Sequence, residues 1–203
     1  MYGSLDDKAL WARVIEGDKN ALAFIYDTYF PSLYRYGMKL RPDSNLVKDS
    51  IHDLFTGIWL SRERLSATDS IRFYLLASLK RRISRQQGLL NRLAIPSSTT
   101  PPFASSHEEV LISEQADRER KEKLEKVINS LPRRQREILY LRYYEGLDTQ
   151  ETAAIMSLSV SSAYVLLSKA LNYLKQHSDK LICLLPGAAG SAILFLTYSL
   201  LRG

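Results

Sequence analysis

Apolar residues recur at intervals of three and four along most of this 203-residue chain, the spacing that gathers them on one stripe of an α-helix. In the first half, Leu22, Ile25, Tyr26, Tyr29, Leu33 and Leu40 share such a stripe behind the cap candidate Asp18. Pro31 is expected to kink or divide that helix, because proline lacks the amide donor of a helix interior. Val47, Ile51, Leu54, Phe55, Ile58 and Trp59 form the next stripe, with Lys48, Asp49, His52, Asp53 and Thr56 on the outer face. A third helix is expected after the cap candidates Asp69 and Ser70. Its inner row is Ile71, Leu75, Leu79 and Ile83, and Arg81, Arg85 and Arg92 fall on a different face.

The second half opens with a charged helix from about Ser113 to Asn129, apolar at Leu124, Val127 and Ile128. Pro132 suits the first turn of a helix over Arg133–Tyr144, which Gly146 ends. Asp148 and Glu151 then make a capping-box pair for a short helix to about Met156. After Ser157-Leu158-Ser159, a last helix puts Val160, Ala163, Tyr164, Leu167, Ala170, Leu171 and Leu174 on its buried side. Short helix, tight turn and longer helix make a helix-turn-helix pattern. Between the halves, Ile95–His107 reads IPSSTTPPFASSH, a proline-, serine- and threonine-rich stretch that predicts an extended linker. With no convincing strand alternation, the fold class is all-α: two small helical domains, 8–94 and 111–178, a linker at 95–110 and an apolar tail at 179–203.

Composition narrows the chemistry. The 45% hydrophobic and 25% charged residues are those of a globular protein. One cysteine, Cys183, excludes an intrachain disulfide framework and a cysteine-rich zinc site, and the scattered His52, His107 and His177 argue against a histidine metal cluster. The acidic start MYGSLDDKAL lacks the basic end and apolar core of a signal peptide, so a reducing, cytoplasmic setting is expected. The chain has no Gly-rich phosphate loop, nucleophile elbow or His-Glu-x-x-His motif. His52/Asp53 and His107/Glu108 are adjacent pairs, and neighbours on a helix point apart, so solvated faces are the better reading. No catalytic set and no cofactor are expected.

Charge is uneven. Lys and Arg total 28 against 22 Asp and Glu, and no acidic residue occurs from Ser70 to His107, where Arg72, Lys80, Arg81, Arg82, Arg85 and Arg92 lie. This local excess sits beside Phe73 and Tyr74. Cations that hold phosphates and rings that stack on exposed bases are what single-stranded nucleic acid requires. The alternative, that both rings belong to the core, stays open.

Four runs in order resemble the extracytoplasmic-function branch of the bacterial sigma-70 family: GDKNALAFIYDTYFPSLYRYG, VKDSIHDLFTGIWLSRERL, IRFYLLASLKRRISR and LPRRQREILYLRYYEGLDTQETAAIMSLSVSSAYVLLSKALNYLK. The resemblance covers about Leu10 to Gln176. It implies a promoter-melting region 2 over 8–94, a linker passing through the polymerase, and a helix-turn-helix region 4 over 111–178. Asp49, His52 and Asp53 match positions that dock on the beta-prime clamp of core RNA polymerase, with Phe55 and Trp59 in the core. Tyr74, Lys80, Arg81, Arg82 and Arg85 match the part that opens the −10 element. Ser159, Ser161, Ser162, Val165 and Lys169 match the recognition helix for the −35 element. Arg133, Arg134 and Arg136 are candidates for the DNA backbone.

The implied partners are core polymerase (beta-prime clamp and beta flap), promoter DNA and an anti-sigma factor. The chain departs from the family pattern at His52, usually glutamine, and at Arg81, often asparagine. Tyr164 and Leu166 stand where lysine and arginine are usual, which lowers the expectation of strong −35 recognition. Ser157 stands at a turn position that usually holds glycine, since a left-handed backbone costs serine more. The uncharged run Leu181–Leu201 admits three readings: a membrane anchor, which is not favoured, a packed helix or a docking segment. Two rival functions stand beside the sigma factor, namely a stand-alone helix-turn-helix regulator and a degenerate sigma-like interaction protein.

Overall fold

The computed structural model describes residues 2–93 and 127–182, with side chains over 2–86 and 127–177. The linker at 95–110, most of the expected charged helix and the apolar run beyond Ile182 lie outside the described residues. The chain divides into two compact units, 1–105 and 106–203, and the described residues form helices and turns without a strand.

The first unit holds α1 (Asp7–Ile15), α2 (Lys19–Leu40), α3 (Ser44–Leu60) and α4 (Ile71–Leu93). Aspartates start three of the four: Asp6 accepts from the Ala9 amide at 2.7 Å, Asp18 from Asn20 and Ala21, and Asp43 from Leu46. Each takes up an amide that the first helical turn leaves without a backbone partner. The start of α4 is tied down twice. Ser70 Oγ accepts from the Phe73 amide at 3.2 Å, and Asp7, reaching across from α1, accepts from the Ile71 amide at 2.8 Å. Asp69 is exposed and lies 3.8 Å from Lys8, so of the two expected caps Ser70 does the capping.

Helix α2 runs unbroken through Pro31, so the expected division does not occur there. Pro31 and Asp27 both lie on its exposed side, where water can take the place of the amide that proline lacks. The inner faces meet in a core of Trp11, Val14, Ile25, Leu33, Tyr36, Val47, Ile51, Leu54, Ile58, Leu75, Leu79 and Ile83, all buried. Gly37 lets α2 and α3 approach closely, since a Cβ there would stand 2.5 Å from a Val47 methyl carbon. Leu22, Tyr26 and Tyr29 of the expected stripe are only half-buried, with Tyr26 edge-on to Phe55 at 4.9 Å.

The second unit has α5 (Arg133–Leu139), a wider π-turn over Tyr140–Tyr144, α6 (Thr149–Met156) and α7 (Val160–Ile182). The single helix expected over Arg133–Tyr144 therefore changes gauge at Tyr140. The Glu145 amide reaches back to the Tyr140 carbonyl at 3.1 Å, the five-residue step of a π-turn. Tyr140 and Tyr144 stack at 4.7 Å, and the buried Glu145 accepts from the Tyr140 hydroxyl at 2.7 Å. Gly146 turns the chain at φ 71°.

The capping box forms in both directions, Glu151 amide to Asp148 at 2.7 Å and Asp148 amide to Glu151 at 2.9 Å. Ala163 and Ala170, both fully buried, let α7 lie close against its neighbours. Among the described residues no single helix is long and apolar enough to cross a membrane. Helices α6 and α7 pass that test only as a pair bent by 99°, and Ile155, Met156, Ala163, Ala170 and Leu174 of the pair are buried in the unit's own core.

Candidate nucleic-acid interface

Helices α3 and α4 of the first unit pack antiparallel along a polar seam. Ser50 Oγ donates to the Leu46 carbonyl at 2.7 Å and to Gln86 Oε1 at 3.0 Å. Three residues further along α3, Asp53 lies 3.8 Å from the Arg82 guanidinium. Arg82 also passes over Gly57, where a Cβ would stand 3.3 Å from its terminal nitrogen. Asp53 and Arg82, assigned by the sequence to separate tasks, are thus each other's neighbours. Their side chains are 57% and 36% exposed, so the ion pair contributes at most about 1 kcal/mol. Asp49 and His52 are exposed beside them. Phe55 is buried as expected, whereas Trp59 is half-buried with the Arg62 guanidinium 4.7 Å from its ring centroid.

The cationic stripe of α4 divides by face. Arg81 and Arg85 are exposed, and Lys80 and Arg82 are half-buried. Arg81 donates only long bonds to its own helix, 3.3 Å to the Ala77 carbonyl and 3.4 Å to Ser78. Tyr74 is on the same stripe but is half-buried, its ring 4.9 Å from that of Trp11. The core alternative left open for this ring therefore accounts for much of its surface. Phe73 is half-buried as well. Arg72 is exposed, 6.0 Å from the Tyr29 ring.

In the second unit, α6, a tight turn and α7 form the helix-turn-helix. Ser157 occupies the turn with φ 53° and ψ 50°, the left-handed conformation that the family pattern assigns to glycine there. Its amide returns to the Ala154 carbonyl at 3.2 Å and that of Leu158 to Ala153 at 2.9 Å. Ser159 Oγ accepts from the Ser162 amide at 3.1 Å and so caps α7. Ser159, Ser161, Ser162, Val165 and Lys169 are all exposed. Tyr164 is also exposed, at 59%, and corrects its expected place on the buried side; Val160, at 40%, does the same. Ala163, Ala170 and Leu174 fill the core side, so the helix is rotated toward its small residues.

Arg134 and Lys169 line a shallow groove with Leu158, Ser161, Val165 and Leu166. Of the expected backbone cations, Arg133 and Arg134 are exposed, and Arg134 donates to the Met156 carbonyl at 3.3 Å. Arg136 is half-buried and 3.5 Å from Asn129. Burial, then the charge of Arg133, lowers its pKa from the usual arginine value. No group of side chains among the described residues is arranged to hold a metal ion. Sequence reasoning missed Asp7, on α1, as a cap of α4 and Gly37 as the close contact with α3; neither carries a local signature.

Residues 121–174 match the family Sigma-70, region 4. No curated protein is a significant match to the chain. Among solved structures the fold is similar to CnrH in complex with the cytosolic domain of CnrY, at 18% identity and a TM-score of 0.56 over 86% of this chain and 97% of that one. It is also similar to the sigma factor RpoE in complex with the anti-sigma factor NepR from Bartonella quintana, at 19% identity and a TM-score of 0.52 over 76% and 94% of the two chains.

Proposed function

We infer that this chain, a sigma-70-family protein by its region 4 and by its helical fold, is a dissociable transcription initiation factor of the extracytoplasmic-function type. It binds core RNA polymerase and directs it to promoters. The observation that carries this reading is the helix-turn-helix of α6 and α7, closed at Ser157 and capped at Ser159, inside the segment that matches region 4. In this role the exposed Asp49 and His52 of α3, with Asp53, face the polymerase clamp, and the cations of α4 hold the separated −10 strand. Arg81 and Arg85 are the best placed of these because both are exposed. Region 4 lays α7 on the −35 duplex, with Arg133 and Arg134 near the backbone.

The work of the protein is binding and strand separation rather than covalent chemistry. Unstacking a base step costs a few kcal/mol, and contacts from charged and aromatic side chains to the freed strand offset it. Both similar structures hold a second protein, described for RpoE as an anti-sigma factor, and an inhibitory partner of that kind belongs to this reading. The test is to mix the purified chain with core polymerase. A stable complex and promoter-dependent transcripts are expected, and the absence of both rejects the proposal.

A further inference from the structure

The outward face of α7 is unusual for a helix that reads DNA. From Ser159 to Ser168 it carries no Arg, Lys, Asn, Gln, Asp or Glu, the residues that pair bidentately with guanine or adenine or accept from cytosine. Its hydroxyls are partly occupied with one another: Ser159 Oγ donates to Ser162 Oγ at 2.7 Å and lies 3.1 Å from Ser161 Oγ. Beside these serines the exposed side chains are large and mainly apolar, Tyr164 at 59%, Val165 at 55% and Val160 at 40%. Two cations adjoin this surface at Val165. Arg134 and Lys169 line the same shallow groove as Ser161, Val165 and Leu166, and both are exposed. Arg134 gives one terminal nitrogen to Met156 and keeps further N–H donors, since a guanidinium carries five.

An apolar surface with cations beside it suits a ligand that sets apolar groups next to negative charges. In duplex DNA the major groove presents one apolar group on the base edges, the C5-methyl of thymine, and phosphates run along both sides. We propose, resting on the reading of unit two as a promoter-duplex binder, that α7 recognises thymine methyl groups through Val165 and Tyr164. Arg134 and Lys169 take the adjoining phosphates. Sequence choice is made by methyl burial, and the cations supply affinity without choosing bases. The N-terminal turns of a recognition helix are those that reach base edges, and Tyr164 and Val165 lie in the second turn of α7.

The experiment uses the full chain assembled with core polymerase. Duplexes are selected from a random pool, and the enriched upstream segments are remade with deoxyuridine at each thymidine, which removes the C5-methyl alone. Binding is expected to weaken about fourfold for each methyl that α7 buries, the equivalent of about 0.8 kcal/mol. Val165→Ala should erase the thymine-over-uracil preference at its position while phosphate-dependent binding persists. Because Val165 is exposed the variant should fold, and its melting curve verifies this.

Equal affinity for thymine and uracil duplexes overturns the proposal, as does an equal loss on both from Val165→Ala. Selection that enriches no upstream sequence, or a Val165→Ala variant that loses only a protein partner, overturns it too. Each of these leaves the initiation-factor reading standing. Failure to assemble with core polymerase at all brings down that reading first and this inference with it.

Discussion

At the scale of single residues, Ser157 shows backbone geometry outranking side-chain preference. A left-handed residue other than glycine is disfavoured by about 1–2 kcal/mol, and among the described non-glycine residues only Ser157 has a positive φ, at 53°. Ser157→Gly should therefore raise stability by about 1 kcal/mol, read as a higher denaturation midpoint for the second unit. An unchanged or lower midpoint would show that the serine is held by contacts that offset its strain. Asp18 supplies a pH-dependent counterpart. The hydrogen bond from the Tyr2 hydroxyl at 2.8 Å, followed by the Ala21 and Asn20 amides and the charge of Arg13, lowers its carboxyl pKa, with burial opposing. A depressed folded pKa stabilises the fold above the unfolded value of about 3.9, and the contribution is lost as pH falls through the folded value. Asp18→Asn keeps a good cap but removes the charge. Its melting temperature should fall short of the parent's at pH 6, and the gap should narrow at pH 3.

At the scale of elements, α4 performs three tasks on three faces. One row, Ile71, Leu75, Leu79 and Ile83, is core; a second meets α3 through Arg82 and Gln86; a third presents Arg81 and Arg85 to solvent. A helix built this way lets the proposed strand contact be tested apart from core integrity, because substitutions on the solvent face leave the packing intact. Arg81→Ala combined with Arg85→Ala should leave the association with core polymerase nearly unchanged. Open-complex formation on a fully paired promoter should drop at least about tenfold, since each lost charge-assisted contact is worth about 1.5–3 kcal/mol. A template already mismatched across the −10 element should be largely spared, and equal activity of the variant on both templates would contradict the assignment. The Asp53–Arg82 pair belongs to the seam between the two helices, so a variant at either position reports on packing as well as on partner binding.

At the scale of the whole molecule, the excess of cations over acids is modest, 28 against 22, and much of it lies between Ser70 and His107. Few of them lie on α7, where Lys169 follows a ten-residue stretch without a basic side chain. The intact chain alone should therefore bind duplex DNA weakly, with a shallow dependence on salt, because each phosphate contact contributes roughly one unit to the log–log slope. Assembled with core polymerase it should bind tightly and selectively. Titration of a promoter fragment across salt concentrations, with and without core polymerase, checks this. Tight, steeply salt-dependent binding by the chain alone would favour the stand-alone regulator.

The pattern along the chain was sufficient for α2, α3, α4, α6 and α7 and for the turn between the last two, because these depend on interactions within a few residues, though not for α1 or the π-turn at Tyr140. Asp18 and the Asp148–Glu151 box cap locally, and the three- and four-residue spacing of Val47, Ile51, Leu54 and Ile58 specifies a buried stripe whatever it packs against. What the pattern left undetermined was settled by distance. Asp7 caps a helix 64 residues away, Tyr74 lies against Trp11, Arg82 meets Asp53, and Tyr164 faces outward because Ala163 and Ala170 occupy the core side. Periodicity names the stripe that is apolar, but the rotation of a helix about its axis, and so which rings and charges meet the solvent, is decided when its neighbours close around it.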